Sequence, residues 1–292
     1  GEWPELAALE HPDWLEDIHR AYVEAGAQIL CANTFGANRE KLGRTGRTVE
    51  EVVPPSVEIA RRAARGRALV ALDVGPTGQL LEPTGTLRFE EAVDIFAQTV
   101  RAGVQAGADL ILIETMTDLQ EARAALLAAK ENSSLPVIVT MTYEERGRTF
   151  LGCDPASAAL TLEGMGADAI GVNCSLGPRE MPPLVRELTR WSTLPIAIKP
   201  NAGLPDPGGA GYDITAEEFA GSMAELTGLG VKLYGGCCGT TPEYIALLRE
   251  KLAAPSSRCP GRCPRRCAAA PAPCPSTGCG SSGSGSIPPA KS

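Results

Sequence analysis

Two glycine-rich motifs of this sequence contain three cysteines that could hold a metal ion. Cys174 lies in GVNCSLGP, and Cys237 and Cys238 are adjacent in YGGCCGTTPEY. Adjacent cysteines rarely bond to each other, because the geometry of such a disulfide is strained. Three thiolates around one ion form the pattern of a catalytic zinc site with an open fourth position, and soft thiolates select zinc over magnesium or calcium. The motifs therefore predict a zinc site.

The chemistry of such a site would differ from that of a zinc hydrolase. Three thiolates leave a net negative charge at the metal, so the ion suits the binding of another thiol better than the activation of water. A cysteine on its own is usually a small buried side chain, which is our interpretation of Cys31 and Cys153. The sequence order of the strands separates Cys174 from the adjacent pair, so their convergence is an expectation.

The elements that must position these residues follow an alternating pattern. Short apolar runs rich in β-branched residues alternate with longer runs of helical periodicity over the first 252 residues. Near-continuous apolar strands that are covered by helices indicate a parallel sheet. Strands are predicted over 27–32, 68–74, 109–114, 136–142, 168–173, 194–199 and 231–235, and helices over about 12–25, 49–65, 89–106, 117–131, 155–164, 179–191, 215–229 and 242–252.

Seven strands and eight helices, with a helix first, predict a (β/α)8 TIM barrel that lacks its first strand, which lies upstream of Gly1 or is missing. An open doubly wound sheet is the alternative, ranked lower because no GxGxxG turn follows an early strand. Barrel enzymes carry their chemistry at the carboxyl ends of the strands. Here those ends are polar: Asn33-Thr34, Asp73, Glu114-Thr115, Thr142, Asn173-Cys174, Lys199-Pro200-Asn201 and Cys237-Cys238.

Composition divides the chain into two parts and excludes several classes of function. The predicted barrel spans 1–252, and 253–292 is a Pro/Ser/Cys-rich tail that we predict to be disordered. Cysteine spacing in the tail matches no common zinc motif. A net charge of −8 and 4% aromatic residues argue against nucleic-acid binding, and no apolar run is long enough for a membrane span. With no visible secretory signal, we expect a cytoplasmic protein.

The sequence resembles the homocysteine S-methyltransferase family, and most closely the homocysteine-binding barrel of cobalamin-dependent methionine synthase. The matching stretches occur in the family's order. They are CANTFGANREKLG (31–43), LDVGPTGQLLEPTG (72–85), DLILIETMTDLQEA (109–122), GVNCSLGP (171–178), KPNAG (199–203) and GGCCGTTPEY (235–244).

The resemblance implies both a reaction and a set of site residues. Zinc would be held by the three cysteines, and homocysteine, bound to zinc as a thiolate, would attack an activated methyl group to give methionine. The resemblance implies that Glu114 holds the substrate's amino group. It also implies that four further residues line the mouth: Asn33, Thr34, Asp73 and Asn173.

Some of these residues also have structural interpretations. Asp73 could act as a turn former in DVGPTG, and Asn173 could support the neighbouring ligand segment. Lys199 could pair with a nearby carboxylate.

Alternatives remain open for the function and the methyl donor. Methylcobalamin, a methylfolate relay, betaine and S-methylmethionine are all possible donors, and the resemblance favours the cobalamin route, with the donor on another domain or on a corrinoid or folate protein.

The family usually opens with a strand that carries a DGAMGT-like motif, and nothing before Trp14 matches it. A zinc-binding but catalytically incomplete barrel, or a thiol- or metal-sensing module, is therefore the alternative. A redox role for the adjacent cysteines is weaker still, because thioredoxin-like sites use C-x-x-C.

Overall fold

The central feature of the fold is a parallel sheet whose strands lie in chain order. The computed structural model describes residues 3–204 and 211–253. Each strand pairs in parallel with the next one along the chain, from β1 to β7. A doubly wound sheet would reverse its strand order at a switch point, so this alternative is excluded. The strands are β1 Ile29–Cys31, β2 Leu69–Val74, β3 Leu110–Met116, β4 Val137–Met141, β5 Ala169–Asn173, β6 Ile196–Lys199 and β7 Val231–Tyr234.

The sheet curls into a barrel rather than lying flat. Lys199 on β6 and Cys31 on β1 would be separated by roughly 24 Å in a flat sheet, because adjacent strands lie about 4.8 Å apart. Their Nζ and Sγ atoms are 3.8 Å apart. Outside the sheet, the Tyr22 hydroxyl donates a hydrogen bond to the Thr240 carbonyl (3.0 Å). This bond joins α2, which precedes β1, to the segment that follows β7. The predicted α/β barrel of seven strands is thus confirmed for the described residues.

The helices lie close to their predicted bounds, and glycines end several of them. Gly26, Gly107, Gly166 and Gly230 adopt φ values of +87° to +97°, the left-handed conformation that ends a helix and turns the chain into the next strand. The helices are α1 Ala7–Glu10, α2 Pro12–Ala25, α3 Arg39–Leu42, α4 Val49–Ala64, α5 Phe89–Gln105, α6 Leu119–Asn132, α7 Pro155–Gly164, α8 Met181–Trp191, α9 Ala216–Glu225 and α10 Pro242–Ala253. The short helices α1 and α3 were not predicted.

Side chains alternate along each strand between the helical layer and the barrel interior. On β2, Val70, Leu72 and Val74 pack in the large core beneath the helices, whereas Ala71 belongs to a separate interior cluster. The residues of that interior cluster are mostly small or aliphatic: Ala71, Leu110, Leu112, Ile138, Ala169 and Ala197. Because the period of a strand is two, the next inward positions are Asp73, Glu114 and Lys199. The barrel interior therefore becomes polar toward the carboxyl ends of its strands.

Two expectations concern parts of the chain away from the sheet. None of the described helices has the length and apolar character that crossing a membrane requires. The predicted disordered tail, 253–292, lies outside the described residues except for Ala253, which ends α10.

Candidate metal and substrate site

The fold brings the three predicted cysteines together at the mouth of the barrel. Cys174 follows β5, and Cys237 and Cys238 follow β7. Their sulfur atoms all lie within 4.8 Å of one another, and those of Cys174 and Cys238 are 3.9 Å apart. Tetrahedral bonds of about 2.3 Å from one zinc ion would hold sulfur atoms about 3.8 Å apart. These residues, the thiol cluster, therefore have the donors and the spacing that could hold a metal ion.

The end of β6 and the residues that follow it hold both cysteine segments by main-chain hydrogen bonds. The Cys174 amide donates to the Lys199 carbonyl (3.0 Å), and the Cys237 amide donates to the Pro200 carbonyl (2.9 Å). The Cys238 carbonyl accepts from the Ala202 amide (2.9 Å). One rigid strand end thus fixes the two distant segments relative to each other.

Unusual backbone conformations aim the thiols at a common point. Cys174 and Ser175 adopt φ values of +62° and +61°, which non-glycine residues rarely do outside strained functional sites. Gly239, directly after the cysteine pair, has a φ of +81°. A Cβ atom at Gly239 would lie 2.2 Å from the ring of Tyr212, so the chain can turn here only without a side chain.

Two buried asparagines brace the thiol cluster. Asn173 accepts hydrogen bonds from the Thr115 amide (2.8 Å) and the Thr140 hydroxyl (2.7 Å). Its own amide nitrogen donates to the Thr115 hydroxyl (2.7 Å) and lies 3.9 Å from the Cys237 sulfur. Asn201 accepts from the Cys238 amide (3.1 Å). These hydrogen bonds fit the interpretation of Asn173 as support for the cysteine segments, and a direct substrate contact by Asn173 stays a prediction.

Hydrogen bonds among the three thiols favour the ionisation of one of them, Cys174. The Cys237 thiol lowers the pKa of Cys174 to about 6 by hydrogen bonding, against the opposing effect of burial, and the Ser175 amide, the Cys238 thiol and Asn201 contribute further. The same contact with Cys174 raises the pKa of Cys237, and burial raises it further. The cluster thus favours an anionic sulfur on Cys174, which is the form that binds metals.

A second group of ionisable residues lies inside the barrel, beside the thiol cluster. Lys199 donates a hydrogen bond to Glu114, and this is the pairing with a nearby carboxylate that the sequence analysis expected. Asp73 is 6% exposed, and burial, followed by the adjacent Glu114 carboxylate, raises the pKa of Asp73 well above its usual range. Burial alone would lower the pKa of Lys199, but nearby Cys31, Glu114 and Asp73 raise it. Asp73, Glu114 and Lys199 form the charged trio.

Asn33 and Thr34 have their polar groups bound to the backbone. The Thr34 hydroxyl donates to the Asp73 carbonyl (2.8 Å) and accepts from the Asp73 amide (3.1 Å), which ties the end of β1 to β2. The side chain of Asn33 donates to the Pro4 carbonyl (2.7 Å). Thr34 thus lies beside Asp73 of the trio, and a direct substrate contact by Asn33 or Thr34 stays a prediction.

An α/β barrel with three converging cysteines at its mouth defines a class of barrel domain that could hold a metal ion through thiolates, and comparisons with known proteins identify the family. The model of the family described as homocysteine S-methyltransferase matches residues 3–252. The chain therefore belongs to the homocysteine S-methyltransferase family, a family of methyltransferases, as the sequence motifs predicted.

Similar proteins of known identity agree with this assignment. Methionine synthases of Mycobacterium leprae (strain TN) and Mycobacterium tuberculosis (strain ATCC 25618 / H37Rv) are 35% and 36% identical to it over 271 and 258 residues, covering 87% and 82% of this chain. The chain spans only 22% of the length of each of these relatives.

A solved structure agrees with the fold. The homocysteine methyltransferase MmuM from Escherichia coli superimposes in its metallated and apo forms with TM-scores of 0.74 and 0.67, at 23% and 22% identity. Each superposition covers 85% of this chain and 88% of the other. At this level of identity, the similarity supports the barrel fold alone.

Proposed function

We propose that this chain is the homocysteine-binding, zinc-containing part of a methyltransferase that forms methionine. The convergence of the sulfur atoms of Cys174, Cys237 and Cys238 within 4.8 Å carries the proposal. Membership of the homocysteine S-methyltransferase family supports it independently. The donor set fits zinc, because soft thiolates at tetrahedral spacing are typical zinc ligands and poor ligands for magnesium or calcium.

The residues of the chain bind and orient the substrate. A bound zinc ion would supply the positive charge that favours ionisation of the homocysteine thiol at neutral pH. Glu114 would accept the substrate's ammonium group, since a carboxylate forms strong charge-assisted hydrogen bonds with such a cation. Asn173 and Asn201 would hold the cysteine segments in place, while Asn33, Thr34 and Asp73 would line the mouth and contact the substrate.

The transfer step needs no general base from the chain. The substrate sulfur forms a bond to the methyl carbon as the bond between that carbon and the donor breaks, and the thiol proton is lost to solvent beforehand. Alignment of the two reactants then accounts for much of the rate gain. The chain spans 22% of the methionine synthases that it resembles, so we infer that another domain or protein presents the donor, with methylcobalamin or a methylfolate relay favoured.

Metal analysis combined with a homocysteine-dependent methionine assay tests the proposal. The purified chain should contain one zinc ion and should form methionine from homocysteine with one of four donors: methylcobalamin, methyltetrahydrofolate with a cobalamin protein, betaine or S-methylmethionine. Cys238→Ala should abolish stoichiometric zinc and methionine formation together. Cys153→Ala is the matched control, because this half-buried thiol lies outside the thiol cluster and should retain both properties.

Two results would contradict the proposal in different ways. Full activity of Cys238→Ala without zinc would refute the role of the metal. One zinc ion per chain with no methionine from any donor would favour the alternative of a zinc-binding barrel that lacks turnover or senses thiols.

A further inference from the structure

The cysteines of the thiol cluster interact with hydrogen-bond donors from outside the cluster. The Asn173 amide nitrogen lies 3.9 Å from the Cys237 sulfur. Cys174 has hydrogen bonds from the Ser175 amide and from the side chain of Asn201. A donor beside a thiolate stabilises the negative charge on the sulfur and makes it a weaker nucleophile. The protein therefore moderates the reactivity of its own metal-binding thiols.

Cys238 has a donor of a different kind, on a separate segment. It is the exposed member of the cluster, whereas the other two cysteines are half-buried. Burial, followed by the adjacent Cys174 thiol, raises the pKa of Cys238. Hydrogen bonds with the Cys237 thiol and the Tyr212 hydroxyl oppose this rise. A tyrosine hydroxyl keeps its proton at neutral pH, so Tyr212 is the donor and the thiolate is the acceptor.

Two glycine turns leave room for the segment that carries Tyr212. Gly239, directly after Cys238, has a φ of +81°, and a Cβ atom there would collide with the Tyr212 ring. Gly203 has a φ of +92°, and a Cβ atom there would collide with the Asp213 carboxylate. The absence of both side chains lets Tyr212 and Asp213 pack directly against the main chain beside the thiol cluster.

Hydrogen bonds tie the position of Tyr212 to that of Cys238. The Ile214 amide donates to the Ala202 carbonyl (3.1 Å), and the Ala202 amide donates to the Cys238 carbonyl (2.9 Å). From the other side, the Tyr244 hydroxyl donates to the Ile214 carbonyl (2.7 Å). The contact between the Tyr212 hydroxyl and the Cys238 thiol is thus supported by main-chain bonds on both sides of the segment.

The proposed reaction brings an electrophile close to these thiolates. An activated methyl group at the mouth meets the substrate sulfur and the exposed Cys238 sulfur, and both are nucleophilic as thiolates. Attack by Cys238 Sγ would form a bond from sulfur to the methyl carbon as the bond from that carbon to the donor breaks, with its electron pair leaving on the donor. The product is a thioether, so each such event would remove one thiolate from the cluster.

We propose that Tyr212 is a positioning residue that directs the methyl group to the substrate, because its hydroxyl donates a hydrogen bond to the Cys238 sulfur and makes this exposed thiolate a weaker nucleophile. The inference rests on the proposed function and deepens it, since it concerns which sulfur at the same site receives the methyl group. Tyr212 acts through Cys238 and does not need to touch the substrate.

Methylation of the zinc-loaded chain by methyl iodide, without homocysteine, tests the proposal. The probe transfers its methyl group to a thiolate and releases iodide, and mass spectrometry of peptides measures the product at each cysteine. Tyr212→Phe keeps the ring against Gly239 and removes only the hydroxyl. It should raise the rate of methylation at Cys238, relative to that at Cys174, about 2- to 10-fold, which corresponds to the net effect of one hydrogen bond.

A second measurement adds homocysteine to the same reaction. In the wild type, nearly all methyl groups should appear on homocysteine. In Tyr212→Phe, the fraction found on Cys238 should rise by a similar factor. A residue that merely supports the fold would not change this distribution between two sulfurs of one site. Zinc content and thermal unfolding report the folding of each variant.

Two tyrosines provide controls that remove a hydroxyl elsewhere. The Tyr234 hydroxyl contacts the Thr227 hydroxyl and the Val231 carbonyl, so Tyr234→Phe should match the wild type. Tyr244→Phe removes the bond to the Ile214 carbonyl but keeps the Tyr212 hydroxyl, so it should raise methylation of Cys238 less than Tyr212→Phe does.

The outcomes separate this inference from the proposed function. A wild-type chain that neither binds zinc nor forms methionine would overturn the proposed function. An active wild type, together with a Tyr212→Phe variant that is methylated at Cys238 no faster than the wild type, would overturn the role of Tyr212 alone. An equally large increase in Tyr244→Phe would show that the position of the segment, rather than the hydroxyl, protects Cys238, and it would also overturn the proposal.

Discussion

The thiol cluster and the charged trio lie side by side at one mouth, yet the protein builds them in opposite ways. The cysteines are fixed by main-chain hydrogen bonds to residues 199–202 and by two asparagines. The trio is assembled from side chains of three strands, and it leaves an acceptor of Asp73 unpaired. Under the proposed function, the rigidly fixed cysteines would hold the metal, and the side chains of the charged trio would contact the substrate.

The largest loss of zinc binding and activity is expected from a substitution in the turn that positions the thiol cluster. Gly239→Val would place a β-branched side chain at a φ of +81°, where a Cβ atom already lies 2.2 Å from the Tyr212 ring. Either the ring or Cys238 must move, and an error of about 1 Å in a reacting group can cost about 100-fold in rate. We expect loss of stoichiometric zinc and at least that decrease in kcat/KM.

Gly152 provides the matched control for this turn. It has a φ of +88°, and nothing lies within 4 Å of the position of its Cβ atom. Gly152→Val therefore introduces the same backbone strain without a collision near the site, and it should keep its zinc. Equal zinc loss in the two variants would show that strain, rather than the position of Cys238, is responsible.

Within the charged trio, the ion pair of Lys199 and Glu114 should contribute most to the free energy of unfolding of the protein. Lys199→Met would leave two buried carboxyl groups without their cation, and removing one partner of a buried pair typically costs about 3–5 kcal/mol of unfolding free energy. Urea unfolding of the wild type and the variant at neutral pH measures this cost. Lys130→Met is the control, because Lys130 and Asp168 form an exposed pair (2.9 Å) that should contribute at most about 1 kcal/mol. Similar losses in both variants would contradict a buried, charge-coupled trio.

The two regions also differ in how far the sequence predicts them. The thiol cluster was predictable because glycines around short, contiguous motifs mark both cysteine segments, and the alternating pattern predicted all seven strands within a few residues. The contact between Lys199 and Cys31 was not predictable, since it depends on the curvature of the sheet across the barrel. The short helices α1 and α3 were missed because four-residue helices depend on tertiary packing rather than on periodicity.

Other features of the site left no signal in the sequence. The role of the end of β6 and the residues after it rests on main-chain groups. The carbonyls of Lys199 and Pro200 could come from any residue type, and the amide of Ala202 from any residue except proline. The unpaired oxygen of Asp73 follows from the orientation of Thr34, whose hydroxyl is bound to the backbone. Type and spacing of residues thus predicted which groups meet at the mouth, whereas their pairing required the structure.

The smallest change in zinc affinity and activity should come from substitution of Asn173, the residue that joins the thiol cluster to the charged trio. Asn173→Ala would remove the hydrogen bonds that hold Thr115 at a φ of +62° and the amide beside the Cys237 sulfur. Supporting residues of this kind typically contribute about 10- to 100-fold to metal affinity. We expect a decrease in zinc affinity within that range, measured by competition with a chelator, together with a higher KM for homocysteine because Glu114 precedes Thr115.

Asn132→Ala, remote from the mouth, should change neither quantity. If Asn173→Ala weakened zinc binding but left the KM unchanged, the thiol cluster and the charged trio would be mechanically independent, and the connection through Thr115 would carry no function.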